Sequence, residues 1–208
     1  MAQSAIVAGD TWGQFQYPNR AVYAAAVLRH WLRRIKLSSV FPSRRLMFGF
    51  AASILFFDQI TKALVRQYLA LHESISIIPN LLDFRYVQNT GAAFGFLNNA
   101  DIPFKPALMT AVALFALIAI GLYTSRLSSE EPLAKIGLTA IMGGACGNLA
   151  DRISLGYVVD FIDVYWGTWH FWAFNVADAS ITIGAGCLIL DMAVLNRHVS
   201  ETTRSRTN

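Results

Sequence analysis

The chain has 208 residues, 55% of them hydrophobic and only 14% charged, and its mean hydropathy is +0.43. That balance is too apolar for an ordinary soluble domain or a disordered segment, and implies one unit dissolved in a lipid bilayer. The net charge of +4 and isoelectric point near 9.3 come from basic residues bunched beside apolar runs, which is a topology signal and argues against a nucleic-acid partner.

Residues 1–45 read as a basic extension. Between Val22 and Leu37, Ala24, Leu28, Trp31, Leu32 and Ile35 share one helical face while Arg29, Arg33 and Lys36 line its edge. Such a pattern suits the surface of an anionic membrane, and an ill-ordered basic tail is the competing reading. No small-residue cleavage site follows a compact apolar core, so a cleavable signal peptide is not expected here.

From residue 46 to 197 the chain offers four runs able to cross about 30 Å of hydrocarbon. The first extends from Leu46 to about Leu69; its apolar part ends at Phe57, and the turns holding Asp58, Lys62 and Arg66 must finish the crossing. The second, Pro106 to Tyr123, carries no charge. Leu133 to Ala150 is interrupted only by Lys135, and Phe171 to Leu190 only by Asp178. Arg29, Arg33, Arg44 and Arg45 precede the first span, Arg126 and Lys135 flank the second connection, and Arg197, Arg204 and Arg206 follow the last. Those segments, including the tail 198–208, are expected in the cytoplasm, which places the first and third connections outside.

In the first outer connection Ser74 to Ile77 and Leu82 to Tyr86 alternate around a Pro79-Asn80 turn, which predicts a two-stranded sheet with an edge that an extended peptide can join. A hydrophobic flap on the bilayer would leave the same pattern. Cys146 and Cys187 fall in spans and read as small packed hydrophobes. His30, His72, His170 and His198 are scattered over separate segments, so neither a metal nor another cofactor is expected.

Two acids stand out. Asp160, within Val158-Val159-Asp160-Phe161-Ile162, and Asp178, within Asn175-Val176-Ala177-Asp178, are both set in apolar sequence at the outer edge of a span. An ionisable group near hydrocarbon costs roughly 2.5–3.5 kcal/mol or more, which makes it a functional candidate by default. Asp151 is a weaker candidate because adjacent Arg152 favours its charged form, and Asp163 can face water. Two carboxylates about 4 Å apart repel by roughly 4 kcal/mol at an effective dielectric near 20, about three pKa units, and so share one proton. A pair of that kind can activate water against an amide. Intramembrane acids also serve proton-coupled transporters or channels, and a structural subunit of a larger complex is a third reading.

Five blocks in order then resemble signal peptidase II, the lipoprotein signal peptidase family of bacterial aspartic peptidases. They are Asp58-Gln59-Ile60-Thr61-Lys62, Asn89 to Phe94, Gly143 to Arg152, Val158 to Ile162 and Phe174 to Asp178. The resemblance implies a mainly α membrane protein of four transmembrane helices with a small extracytoplasmic β-sheet and a loop helix. It implies an enzyme of the bacterial inner membrane that cuts prolipoproteins before a cysteine already carrying diacylglycerol, acting as a monomer without metal. Matched by motif, Asp160 and Asp178 are the catalytic pair, Asn89, Asn148, Arg152 and Asn175 line the substrate pocket, and Asp58, Lys62 and Asp151 are structural. The family usually begins shortly before the first span, so the basic extension is a departure from its pattern.

Overall fold

The computed structural model describes residues 27, 44–91, 102–126 and 132–195. The chain divides into two compact units, Met1–Lys36 and Leu37–Asn208. The amphipathic stretch after Val22, apart from Val27, and the tail 198–208 lie outside the described residues.

Within hydrocarbon the backbone must satisfy its own hydrogen bonds, so the apolar runs become helices. These are α1 (Arg44–Tyr68), α2 (Lys105–Arg126), α3 (Pro132–Leu155) and α4 (Val176–Leu190), the last continuing into a π-helical turn at Asp191–Leu195. All four are long and apolar enough to span a membrane, as expected from sequence. The loop helix is not among the described residues.

α3 is the hub. It packs against α1, α2 and α4, while among the described residues α2 leans mainly on α3, with no buried residue of its own. Small residues let α3 approach its neighbours closely. A Cβ at Gly144 would collide with the Ala177 carbonyl and the Ser180 hydroxyl of α4, and one at Gly147 with the Asp58 carboxylate of α1. Gly144→Ala is therefore expected to lower stability by about 1–3 kcal/mol, as overpacking does. Gly49→Ala, where nothing lies within 4 Å, should leave the thermal unfolding midpoint in detergent unchanged.

The extramembrane part is a four-stranded antiparallel sheet in the order β1 (Ser74–Ile78), β2 (Leu82–Asn89), β3 (Val158–Trp166) and β4 (Trp169–His170). The β1–β2 hairpin turns where Pro79-Asn80 predicts it, with Asn80 at φ 63°. Two strands were not anticipated. Val158 to Trp166, expected as loop between spans, pairs with β2 so that Val87 faces Asp160 and Asn89 faces Val158. Its β-branched and aromatic side chains fit a pleated surface. Val159 and Phe161 from β3 join Tyr86 from β2, Val65 from the last turns of α1 and Leu69 just beyond it in one buried cluster, fastening the sheet to the bundle.

The fourth span begins later than Phe171. Phe174 pairs with Ile162 of β3, and the helix starts only after Asn175, whose side chain accepts the Asp178 backbone N–H while the Asp178 side chain accepts the Asn175 N–H. That reciprocal capping box satisfies two otherwise orphaned donors and fixes the boundary. Conversely, α3 runs past Ala150 to Leu155, which carries Asp151 and Arg152 on its last turns.

Candidate active site

The capping box that starts α4 also delivers Asp178 to the membrane edge, as the third helical residue. Pairing with β2 delivers Asp160 from β3 to the same place. Asn175 joins them: its Nδ2 donates to Asp160 Oδ1 at 2.7 Å, and its backbone N–H donates to Asp178 Oδ2 at 3.3 Å. Asn148 Nδ2 donates to Asp178 Oδ1 at 2.8 Å, and Asn89 Nδ2 donates to Asp160 Oδ2 at 3.0 Å. All four carboxylate oxygens are thus held by donors. Asp160 is 2% exposed, whereas Asp178 is half-buried and lies on the open side of the pair.

Burial, and then the negative charge of Asp178, push the Asp160 carboxyl up to about 7, against the opposing hydrogen bonds from Asn89 and Asn175 and the charge of Lys62. An acid poised near neutrality can hold a transferable proton at working pH.

Behind the pair lies a buried ionic lattice. The Lys62 ammonium, 1% exposed, reaches Asp58 Oδ2 at 2.8 Å, Asp151 Oδ2 at 3.0 Å and Asn148 Oδ1 at 2.8 Å, so each of its three hydrogens has an acceptor. The four-residue spacing that predicts Asp58 beside Lys62 is observed. Asp58 Oδ1 accepts the Ala177 N–H at 2.9 Å, tying α1 to the first turn of α4. Asp151 Oδ2 accepts the Val159 N–H at 3.0 Å, which anchors β3 one residue before Asp160. Because Lys62 can only donate, it also fixes the Asn148 amide with its nitrogen toward Asp178.

One expectation fails and another is refined. Asp151 and Arg152, adjacent in sequence, bond to nearby backbone and not to each other: Asp151 turns inward to Lys62 and the Val159 N–H, and Arg152 donates to the carbonyls of Asn148 at 3.3 Å and Gly91 at 3.1 Å. One helical step points neighbouring side chains about 100° apart, so adjacency in α3 keeps them from pairing. Asp163 does not face water; it is 3% exposed and both its oxygens lie 3.0 Å from His170 Nδ1. Its strand alternation, unseen from sequence, turns it inward.

Arg152 is half-buried, and its bond to Gly91 holds the turn in which Asn89 Oδ1 accepts the Gly91 N–H at 2.9 Å. Gln59 had no assigned role, yet its amide nitrogen lies within 3.2 Å of Asp58 Oδ2, 3.1 Å of the Gly147 carbonyl and 3.0 Å of Asp151 Oδ1. Its position between two acids of the lattice is visible only once α1 and α3 pack. Among the described residues no group of three or more His, Cys, Asp or Glu side chains gathers in a way that would hold a metal ion.

Known proteins share this arrangement's sequence and fold. The family described as signal peptidase (SPase) II matches residues 50–194. A lipoprotein signal peptidase of Geobacter metallireducens is 44% identical over 151 residues, covering 73% of this chain and 92% of that protein. Another, from Nitratidesulfovibrio vulgaris, is 45% identical over 141 residues, covering 68% and 85%. Of solved structures, a bacterial membrane enzyme determined by the in meso method at 1.9 Å superposes with a TM-score of 0.64 at 27% identity, covering 74% of this chain and 95% of that one.

Proposed function

Because the chain belongs to the signal peptidase II family, we propose that Asp160 and Asp178 are the catalytic pair with which this multi-pass membrane aspartic endopeptidase removes signal peptides from prolipoproteins. The observation that carries the assignment is the bridge through Asn175, which holds one carboxylate by its amide and the other by its backbone. The transporter and structural-subunit readings give way to that membership.

The pair shares one proton. The ionised member takes a proton from a bound water, whose oxygen attacks the scissile carbonyl, while the protonated member donates to the developing oxyanion. Collapse of the tetrahedral intermediate breaks the C–N bond: the proton gained from water passes to the leaving amine, and the hydroxyl formed from the oxyanion returns its proton to the carboxylate that supplied it as the carbonyl re-forms. Water's two hydrogens and one oxygen are thereby distributed between the products, and the pair returns to its starting state. Asn148 and Asn175 keep both carboxyls in place, and Arg152 and Asn89 shape the turn against which the substrate lies.

The cut falls immediately before the diacylglyceryl cysteine. That lipid keeps its acyl chains in the bilayer, so the scissile bond sits at the interface, the level at which α4 and β3 both begin. Trp166, Trp169 and Trp172, each more than half exposed around the β3–β4 hairpin, suit anchoring in the same layer. The enzyme acts as a monomer in the bacterial inner membrane, both termini in the cytoplasm and the pair toward the outer face, without metal or nucleic acid.

Incubation of the purified protein with a prolipoprotein and its unlipidated counterpart tests this reading. Cleavage is expected for the lipidated form alone. Its kcat/KM should fall about tenfold per pH unit above an apparent value near 7, because loss of the shared proton removes the general acid. Equal cleavage of both forms, or a flat profile between pH 6 and 9, would refute it.

A further inference from the structure

At the end of the bundle away from the sheet, α1 and α2 both rest on α3 but scarcely touch each other. Between them opens a cavity of about 380 Å³ whose lining includes Arg44, Phe48, Gly121, Ser125, Lys135 and Met142. Its polar and apolar parts are layered along the helix axes. Arg44 opens α1, Ser125 is next to last in α2, and Lys135 lies in the first turn of α3. Ala51, Gly121 and Met142 lie deeper, about 5–10 Å further into the span at 1.5 Å per residue.

Arg44 and Lys135 therefore flank the mouth of an apolar trough at the hydrocarbon boundary. The ion pairs among the described residues are Lys62 with Asp58 and with Asp151, and His170 with Asp163, so among those residues neither cation is paired with a carboxylate. The hydroxyls cannot serve as anion donors, since Thr124, Ser125 and Thr139 give their hydrogens to the carbonyls of Ile120, Leu122 and Lys135, each at 2.7 Å. Their oxygens remain free to accept. A Cβ at Gly121 would meet nothing within 4 Å, so the trough is open at its floor.

We propose that this cleft binds one anionic phospholipid from the leaflet opposite the sheet. Its phosphate sits between Arg44 and Lys135, an acyl chain lies along Phe48, Ala51, Gly121 and Met142, and a hydroxylated headgroup such as glycerol donates to the Thr124 and Ser125 oxygens. A zwitterionic lipid fits the trough equally but brings its own cation to a mouth that already holds two. The lipid fills the gap left in the bundle where α2 scarcely touches α1.

Native mass spectrometry of the full chain in detergent, titrated with palmitoyl-oleoyl phosphatidylglycerol or the matching phosphatidylcholine, tests the site. Phosphatidylglycerol is expected to bind at least tenfold more tightly, and Arg44→Gln and Lys135→Gln should each weaken it about fivefold. Arg45→Gln, outside the cleft, should have no such effect. Gly121→Phe, which alters no charge, should exclude both lipids by filling the trough. Prolipoprotein cleavage confirms that each variant folds, since the aspartates lie at the other end of the bundle. Equal binding of the two lipids, a preference that survives Arg44→Gln with Lys135→Gln, or full displacement of phosphatidylglycerol by millimolar inorganic phosphate would overturn the proposal.

Discussion

Replacing either acid by its amide, Asp160→Asn or Asp178→Asn, is expected to reduce turnover of a lipidated prolipoprotein by about 10⁴-fold or more, since each removes one of two coupled proton-transfer groups. The double variant should be scarcely slower than either single one, because a pair that acts as a unit is lost with its first member. Stability should change far less than activity. Burial and the charge of Asp178 act against the Asp160 carboxylate in the folded state, whereas an amide at either position sets one NH2 against an Asn donor or a backbone N–H, so the two effects oppose and thermal unfolding should stay within a few degrees of the native chain. Single-turnover cleavage together with thermal unfolding in detergent checks the two halves. A variant that is inactive because it has unfolded would indicate scaffolding in place of chemistry.

Lys62→Met should have the largest effect on folding, a loss of about 3–5 kcal/mol, the usual result of removing one partner from a buried ionic group. The substitution leaves Asp58 and Asp151, both buried, without their shared cation. It also removes the donor that sets the Asn148 amide against Asp178. Lys62→Met combined with Asp58→Asn should recover part of the lost stability, since one of the stranded charges is then neutral. Chemical unfolding in detergent measures this, and a midpoint for Lys62→Met equal to that of the native chain would show that the lattice contributes nothing to stability.

The fold was legible to the extent that solvent dictates it. Uncharged runs such as Pro106 to Tyr123 have one stable form in hydrocarbon, and those spans lie where composition puts them. Boundaries set by side-chain chemistry were less visible. Phe171 to Phe174 is apolar enough to read as helix, but the capping box at Asn175 and the pairing of Phe174 with Ile162 claim it for extended structure. The strand at Val158–Trp166 was hidden because its acids drew a functional reading while its alternation, with Asp163 turned inward, had no visible partner. In the site, local spacing revealed Asp58 with Lys62, whereas the contacts of Gln59 and the inward turn of Asp151 depend on residues 88 and more positions away. No periodicity within one helix encodes such distances.

Asn175 has one consequence for how the protein comes into being. It opens the fourth span, and the same atoms that begin that helix orient both acids. Three inserted helices therefore hold only one member of the proposed pair, and the other arrives, already oriented, when α4 docks. If that pair cuts as proposed, correct assembly and competence to cut become the same event.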